Sequence, residues 1–177
     1  MSDPVAILQA QWTNSAERLA RRLDGLTDAE YFWQPVPSSW TVKPEPGAPN
    51  GWSYDYDWPP PNPPPVTTIA WRLVHIAANN WIYREHAFGP AERIFPDLDT
   101  PSNAADALEN WHDSRRAITE WLQSATEDDL DVRRPSHLGQ PKSAGEVLMT
   151  LIDEQVHHGA EIALLRDLYL RQATQEP

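Results

Sequence analysis

Thr68-Ile69-Ala70-Trp71-Arg72-Leu73-Val74-His75-Ile76-Ala77, continuing through Trp81 and Ile82 to Phe88, is apolar nearly all round. A helix on the surface of a globular protein shows one apolar stripe, so a helix apolar on every side belongs in the middle of a helical assembly. Thr67 or Thr68 can cap its start, and Gly89-Pro90 stops it. Its neighbours must then supply apolar faces to enclose it.

Upstream, residues 3–24 supply one such face. Asp3 can cap, Pro4 suits a first turn, and Val5, Leu8, Trp12, Ala16, Leu19 and Leu23 recur near helical spacing before Gly25. Thr27-Asp28-Ala29-Glu30 is a capping box for a short helix carrying Tyr31, Phe32 and Trp33. Downstream, a helix from Pro101-Ser102 to about Ser124 carries Ala105, Leu108, Trp111, Ile118, Trp121 and Leu122. Thr126 to Leu130 is polar and residues 131–142 read as loop. Ser143-Ala144-Gly145-Glu146 is a second capping box, opening a long helix to about Gln172. No alternating pattern is sustained, so the fold class is all-α. Four long helices predict a four-helix bundle forming one domain over residues 1–177.

Residues 34–65 interrupt this pattern between the first and second long helices. Eleven of the 18 prolines lie here, six of them between Pro59 and Pro65, and helix cannot persist through them. Trp40, Trp52, Tyr54, Tyr56 and Trp58 share the stretch, and aromatic rings of this size normally bury against something. The expectation is an ordered, extended loop draped over the bundle, with Trp52 and Trp58 substantially buried.

Composition narrows the function. With 14 Lys and Arg against 26 Asp and Glu, the net charge is −12, which disfavours nucleic acid and anionic membranes as partners. The absence of cysteine excludes disulfides, thiolate metal sites and thiol nucleophiles. No apolar run approaches the roughly 20 residues of a membrane span, and the N-terminus lacks a charged-then-apolar signal, so a cytoplasmic protein is expected.

The chemistry concentrates in the last helix, at Asp153-Glu154-Gln155-Val156-His157-His158-Gly159. Residues four apart share a helical face, so Asp153 pairs with His157 and Glu154 with His158, on faces about 100° apart. Either pair is half of a divalent-metal site, because a carboxylate oxygen and an imidazole nitrogen both reach about 2.1 Å from Zn²⁺. His75, amid apolar neighbours on the most buried helix, is the best third ligand, although such a ring can equally be a hydrogen-bonded core histidine. His86, His112 and His137 have no partner at ligand spacing free of competing arginines, and surface roles are expected for them.

Two segments resemble the DinB-like (YfiT-like) family of metal-dependent proteins, which includes the metal-binding domain of mycothiol-dependent maleylpyruvate isomerase. Ile69-Ala70-Trp71-Arg72-Leu73-Val74-His75-Ile76 is similar to that family's second-helix pattern. His157-His158-Gly159-Ala160-Glu161-Ile162-Ala163-Leu164-Leu165-Arg166 is similar to its H-R-G-Q motif with a Leu-Leu-Arg tail. Ser39-Trp40-Thr41-Val42 resembles the short serine–tryptophan segment after the first helix. Registering Gly159 and Leu164-Leu165-Arg166 on that motif implies His157 as ligand, and Asp153 four residues earlier as the other. Most members carry histidine at that place, and the isomerase branch carries a glutamate.

The resemblance therefore implies a metal site of His75, Asp153 and His157, with Glu154 and His158 as supporting groups or alternative ligands. Two histidines and a carboxylate suit Zn²⁺, with Ni²⁺, Mn²⁺ and Fe²⁺ remaining open. Three protein ligands leave a position for a reactant, and the ion would act as a Lewis acid or lower the pKa of a bound water or thiol. The resemblance further implies thiol-dependent transfer or isomerisation of a small molecule with a low-molecular-weight thiol such as mycothiol or bacillithiol, in a homodimer. The competing reading is a non-catalytic metal-binding or dimerising bundle that acts through association.

Overall fold

The computed structural model describes residues 3–172, and these are mostly helical. Four long helices dominate: α1 (Pro4–Leu23), α3 (Ile69–Phe88), α4 (Ala104–Ser124) and α6 (Ala144–Gln172). Two short ones, α2 (Asp28–Tyr31) and α5 (Glu127–Asp131), lie between them. α3 packs against both α4 and α6, and α1 packs against α6 and α4. α3 is accordingly the most enclosed element, with Ile69, Leu73, Ala77 and Ile82 fully buried.

The ends of the helices follow from the local chemistry. Asp3 accepts from Val5 N at 2.9 Å, Thr68 from Trp71 N at 3.2 Å and Asn103 from Asp106 N at 2.9 Å. Thr27 with Glu30, and Ser143 with Glu146, close both expected capping boxes. The α4 start falls slightly later than Pro101-Ser102, because Asn103 supplies the cap. The polar run after Thr126 coils into α5, capped by Asp129 on Thr126 N at 2.8 Å.

The core has two parts along the helices. One gathers Leu19, Leu23, Tyr31, Leu73, Ile76 and Trp111, and the other Trp12, Ile118, Leu122, Val147, Leu148 and Leu151. Buried polar groups bridge the helices between them. Trp111 Nε1 donates to Gln155 Oε1 at 3.1 Å, Gln155 Nε2 to Ser15 Oγ at 2.6 Å, and Asn80 Nδ2 to Ser114 Oγ at 3.0 Å. Each of these three donors thus meets an acceptor, which offsets the cost of burying it.

Short strands also occur. β1 (Val42–Pro44) and β2 (Trp52–Tyr54) pair antiparallel with Val42 opposite Tyr54, and β3 (Arg133–Arg134) pairs with β4 (Lys142–Ser143). The first hairpin stands in the proline–aromatic stretch and is tied to the start of α3, where Trp40 N donates to Val66 O at 2.9 Å and Thr68 N to Trp40 O at 2.9 Å. Trp52 is half-buried, packed beside the core. Trp58 departs from expectation: it is 82% exposed, because the chain beyond Tyr54 leaves the hairpin and nothing in the core reaches it.

Candidate metal centre

His75, Asn79 and Tyr83 fall at i, i+4 and i+8 on α3, and so lie along one face of it. Opposite them α6 presents Glu154 and His158, one turn apart. Glu154 Oε2 stands 3.1 Å from His75 Nε2 and 3.3 Å from His158 Nε2. A ligand atom from each of the three lies within 4.8 Å of the others. Asn79 Nδ2 adds contacts of 3.0 Å to His75 Nε2 and 3.2 Å to Glu154 Oε2.

Of the two pairs on α6, the structure brings Glu154 and His158 to His75. Asp153 and His157 are exposed, and His157 instead sits 3.4 Å from Glu161 Oε1. The phase of α6 explains this. Leu151 and Leu165 are buried, and His158 lies seven residues from each, on the same stripe as Gln155 and Ile162. His157 is turned about 100° away. The apolar residues of α6 carried that information, and the motif register displaced it by one residue.

His158 is oriented from behind. Its Nδ1 lies 2.7 Å from Glu161 Oε2, which also receives Arg72 Nη1. His158 Nδ1 also stands 3.1 Å from Arg72 Nη1. A neutral imidazole has one N–H: with it on Nδ1 toward Glu161, the Nε2 lone pair is free to bind a metal, and with it on Nε2 it donates to Glu154. Two imidazole nitrogens and one carboxylate oxygen, all within 4.8 Å of one another, are a donor set that borderline divalent ions accept. By their chemistry and spacing these residues fit a divalent metal.

Electrostatics favour the ligating forms. The His158 and His75 nitrogens beside its oxygen hold the Glu154 carboxyl far below the usual range, so it stays ionised. Burial pushes His158 below the ordinary imidazole value, which leaves it neutral near pH 7 despite the opposing pull of Glu154. Burial also lowers the Arg72 guanidinium to about 10, so it remains a cation against Glu161.

The cluster opens into a cavity of about 690 Å³. His75 and Glu154 line one part of it, and Trp52, Tyr54, Tyr56 and Trp58 line another, with Tyr83 and His137 among the remaining walls. His137, expected at the surface, is half-buried here. Its ring meets Tyr83 edge-on at 4.5 Å and Phe95 at 5.5 Å. His112 is exposed on α4, and His86 Nε2 meets the Arg93 carbonyl at 3.0 Å. Asn79 and Tyr83 escaped the sequence reading, although their spacing from His75 marks them. Glu161, three residues after His158 on α6, escaped it although that spacing is local, and Arg72 escaped it because nothing local pairs residues on different helices.

The chain and its fold have counterparts. A family model described as the DinB superfamily matches residues 53–162, more than half of the chain and including His75, Glu154 and His158. A crystal structure of a DinB-like protein from Bacillus cereus ATCC 10987 superposes with a TM-score of 0.62 at 22% identity, covering 94% of this chain and 91% of that one. A conserved protein from Enterococcus faecalis gives a TM-score of 0.59 at 13% identity, covering 95% and 98%. At such identities the likeness is one of fold. No curated protein matches the chain.

Proposed function

The chain belongs to the DinB superfamily, and on that premise we propose that it is a divalent-metal-dependent enzyme acting on a small molecule, with His75, Glu154 and His158 holding the ion. The observation that carries this reading is the convergence of two imidazole Nε2 atoms and one carboxylate oxygen beside a large, accessible cavity. On this reading the four packed helices are a single four-helix-bundle domain, the architecture that builds metal sites from side chains on facing helices.

A divalent ion bound there supplies Lewis acidity toward a reactant's oxygen or sulfur. The protein's own groups do the rest. Glu161, anchored by Arg72, fixes the His158 ring. Asn79 donates toward the Glu154 carboxylate and limits its rotation. Trp71, stacked on His75 at 4.7 Å and 13°, holds that ring in plane and keeps water from one of its faces. Tyr83 remains protonated at neutral pH, its pKa raised by burial and then by Glu154, and so can donate a proton or hydrogen bond into the cavity.

The family resemblance implies transfer to, or isomerisation through, an external low-molecular-weight thiol, and a chain without cysteine agrees with an external nucleophile. Zn²⁺ suits the donor set, and Ni²⁺, Mn²⁺ and Fe²⁺ remain candidates. Metal analysis of the purified protein, followed by titration of the Co²⁺ form with thiols, tests this. One equivalent of metal and a thiol-induced change in the Co²⁺ spectrum are expected. No metal in any preparation overturns it.

A second reading, association without catalysis, draws on α6. Met149, Val156 and Leu164 are exposed along its outer side, 63%, 48% and 58% respectively. Such a stripe suits a second copy of the chain. A homodimer is compatible with either reading, and light scattering at micromolar concentration decides it.

A further inference from the structure

Between Gly51 and Pro59 the sequence runs Trp52-Ser53-Tyr54-Asp55-Tyr56-Asp57-Trp58, with an aromatic residue at every second position. On β2, Trp52 and Tyr54 point the same way, as alternate residues of a strand do, and beyond Tyr54 the chain leaves the strand. All four aromatic residues border the cavity, as does Ser53, whereas Asp55 and Asp57 do not. Asp55 turns back to β1 instead, where its carboxylate accepts from Thr41 N at 2.9 Å and pairs with Lys43. Tyr54 and Tyr56 meet edge-on at 6.3 Å. The ladder leads from the metal cluster toward solvent: the His75 side chain is 19% exposed, Tyr56 is 56% exposed and Trp58 82%.

The charge of the lining is as informative as its shape. Among the described residues no lysine or arginine borders the cavity, and Glu154 is its one carboxylate. Burial, then His86 and Lys142, lower the pKa of His137, so it adds no cation near neutral pH. Burial raises Tyr54 to about 12, so its hydroxyl is uncharged as well. Away from the cluster, an anionic ligand would lose its hydration and gain no ion pair in return. A flat uncharged ring gains aromatic contact with the rings that border the cavity.

The geometry points to a ligand with a metal-coordinating head and a flat, uncharged aromatic body, the body stacked on the ladder from Trp52 to Trp58. The head rests on the metal reading above. The body rests only on the ladder and on the missing cations.

Three hydroxamates share one head and differ in the body: acetohydroxamate, benzohydroxamate and 4-carboxybenzohydroxamate. Titrated into the Co²⁺ protein and followed by visible absorption, benzohydroxamate is expected to bind about tenfold more tightly than either of the others. Trp58 is exposed, so Trp58→Ala leaves the fold intact. That change should weaken benzohydroxamate about fivefold and leave acetohydroxamate unchanged. Equal or tighter binding of the carboxylated compound, or no effect of Trp58→Ala, overturns the proposal. If Co²⁺ does not bind, the metal reading fails and the ladder is still testable. Ligand-observed NMR of the metal-free protein with p-cresol and 4-hydroxybenzoate should then show a preference for p-cresol that Trp58→Ala removes, and absence of that preference overturns the proposal.

Discussion

Trp71 lies parallel to His75, ring centroids 4.7 Å apart, and its Nε1 donates to the Asp55 carbonyl at 2.6 Å. One side chain thus joins the ligand on α3 to the aromatic ladder outside the helices. The same ring meets Tyr54 and His158 edge-on, at 6.4 and 6.1 Å. Position 71 is four residues before His75, so the coupling of site and loop is set by one turn of α3.

The ligand set predicts a sharp contrast between neighbouring residues. His158→Ala and Glu154→Gln should each lower Zn²⁺ affinity by more than about 100-fold, beyond what loss of an outer-shell partner costs. His157→Ala and Asp153→Asn should leave one equivalent bound with nearly unchanged affinity. Competition against a chromophoric chelator measures both. Retention of metal by His158→Ala, with loss in His157→Ala, would return the site to the outer face of α6.

Glu161 should matter without touching the ion. Glu161→Gln removes the carboxylate that lies 2.7 Å from His158 Nδ1 and pairs with Arg72, so the ring is less firmly oriented. Zn²⁺ affinity should fall about 10- to 100-fold, with the fold and its melting temperature little altered. An unchanged affinity would show that packing alone orients His158.

Much of this was legible in the sequence. The long helices, both capping boxes and the enclosed position of α3 follow from local signals, because caps and apolar periodicity depend only on nearby residues. His75 was legible for the same reason. The choice between Asp153/His157 and Glu154/His158 was harder, since adjacent candidates differ only in helical phase. Leu151, Ile162 and Leu165 held that phase, and they place His158 inward. His158 and Glu161 are an i,i+3 pair legible on α6 alone, but the part Arg72 takes from α3 spans two helices, so no local pattern could declare it. The cavity position of His137 likewise depends on how the loop before β4 folds over Tyr83.

Arg166 belongs to the Leu-Leu-Arg tail, and the structure gives it a buried structural task. Its Nε donates to Glu30 Oε1 at 3.0 Å, and its Nη1 to the carbonyls of Arg22 and Asp24. Glu30 is 3% exposed, so Arg166→Met would strand a buried carboxylate and should destabilise by about 3–5 kcal/mol in urea unfolding. Adding Glu30→Leu should recover part of that loss, because no unpaired charge then remains buried. If Arg166→Met unfolds at the wild-type midpoint, water satisfies Glu30.

His137 gives a pH dependence whose sign follows from its environment. Its native pKa is lowered by burial, then by His86 and Lys142. As pH falls through the ordinary imidazole value of about 6.5, the unfolded chain takes up this proton before the native one does. Stability should therefore decline from about pH 7 downward and stop declining on this account below the native pKa. In His137→Gln the decline should be shallower over that interval, read from melting temperatures between about pH 8 and 5. Parallel curves for both proteins would mean that His137 titrates normally in the native state.

The link through Trp71 separates the loop from the ligand it touches. Trp71→Phe keeps an aromatic face on His75 but removes the donor to the Asp55 carbonyl. Zn²⁺ affinity should change by less than about threefold, the scale of a lost neutral stacking increment. The loop should change more. Without that hydrogen bond, the segment after β2 keeps only the hairpin and the ties of Asp55 to Thr41 and Lys43. Proteolysis by chymotrypsin at Tyr54, Tyr56 or Trp58 should then accelerate by about fivefold or more, matching loss of a buried hydrogen bond of about 1 kcal/mol. Lys43→Ala, at the exposed edge of the hairpin, should accelerate it less, since exposed ion pairs contribute little. Equal cleavage of wild-type and Trp71→Phe protein, with weakened metal binding in the variant, would reverse the assignment: Trp71 would then serve the ligand and not the loop.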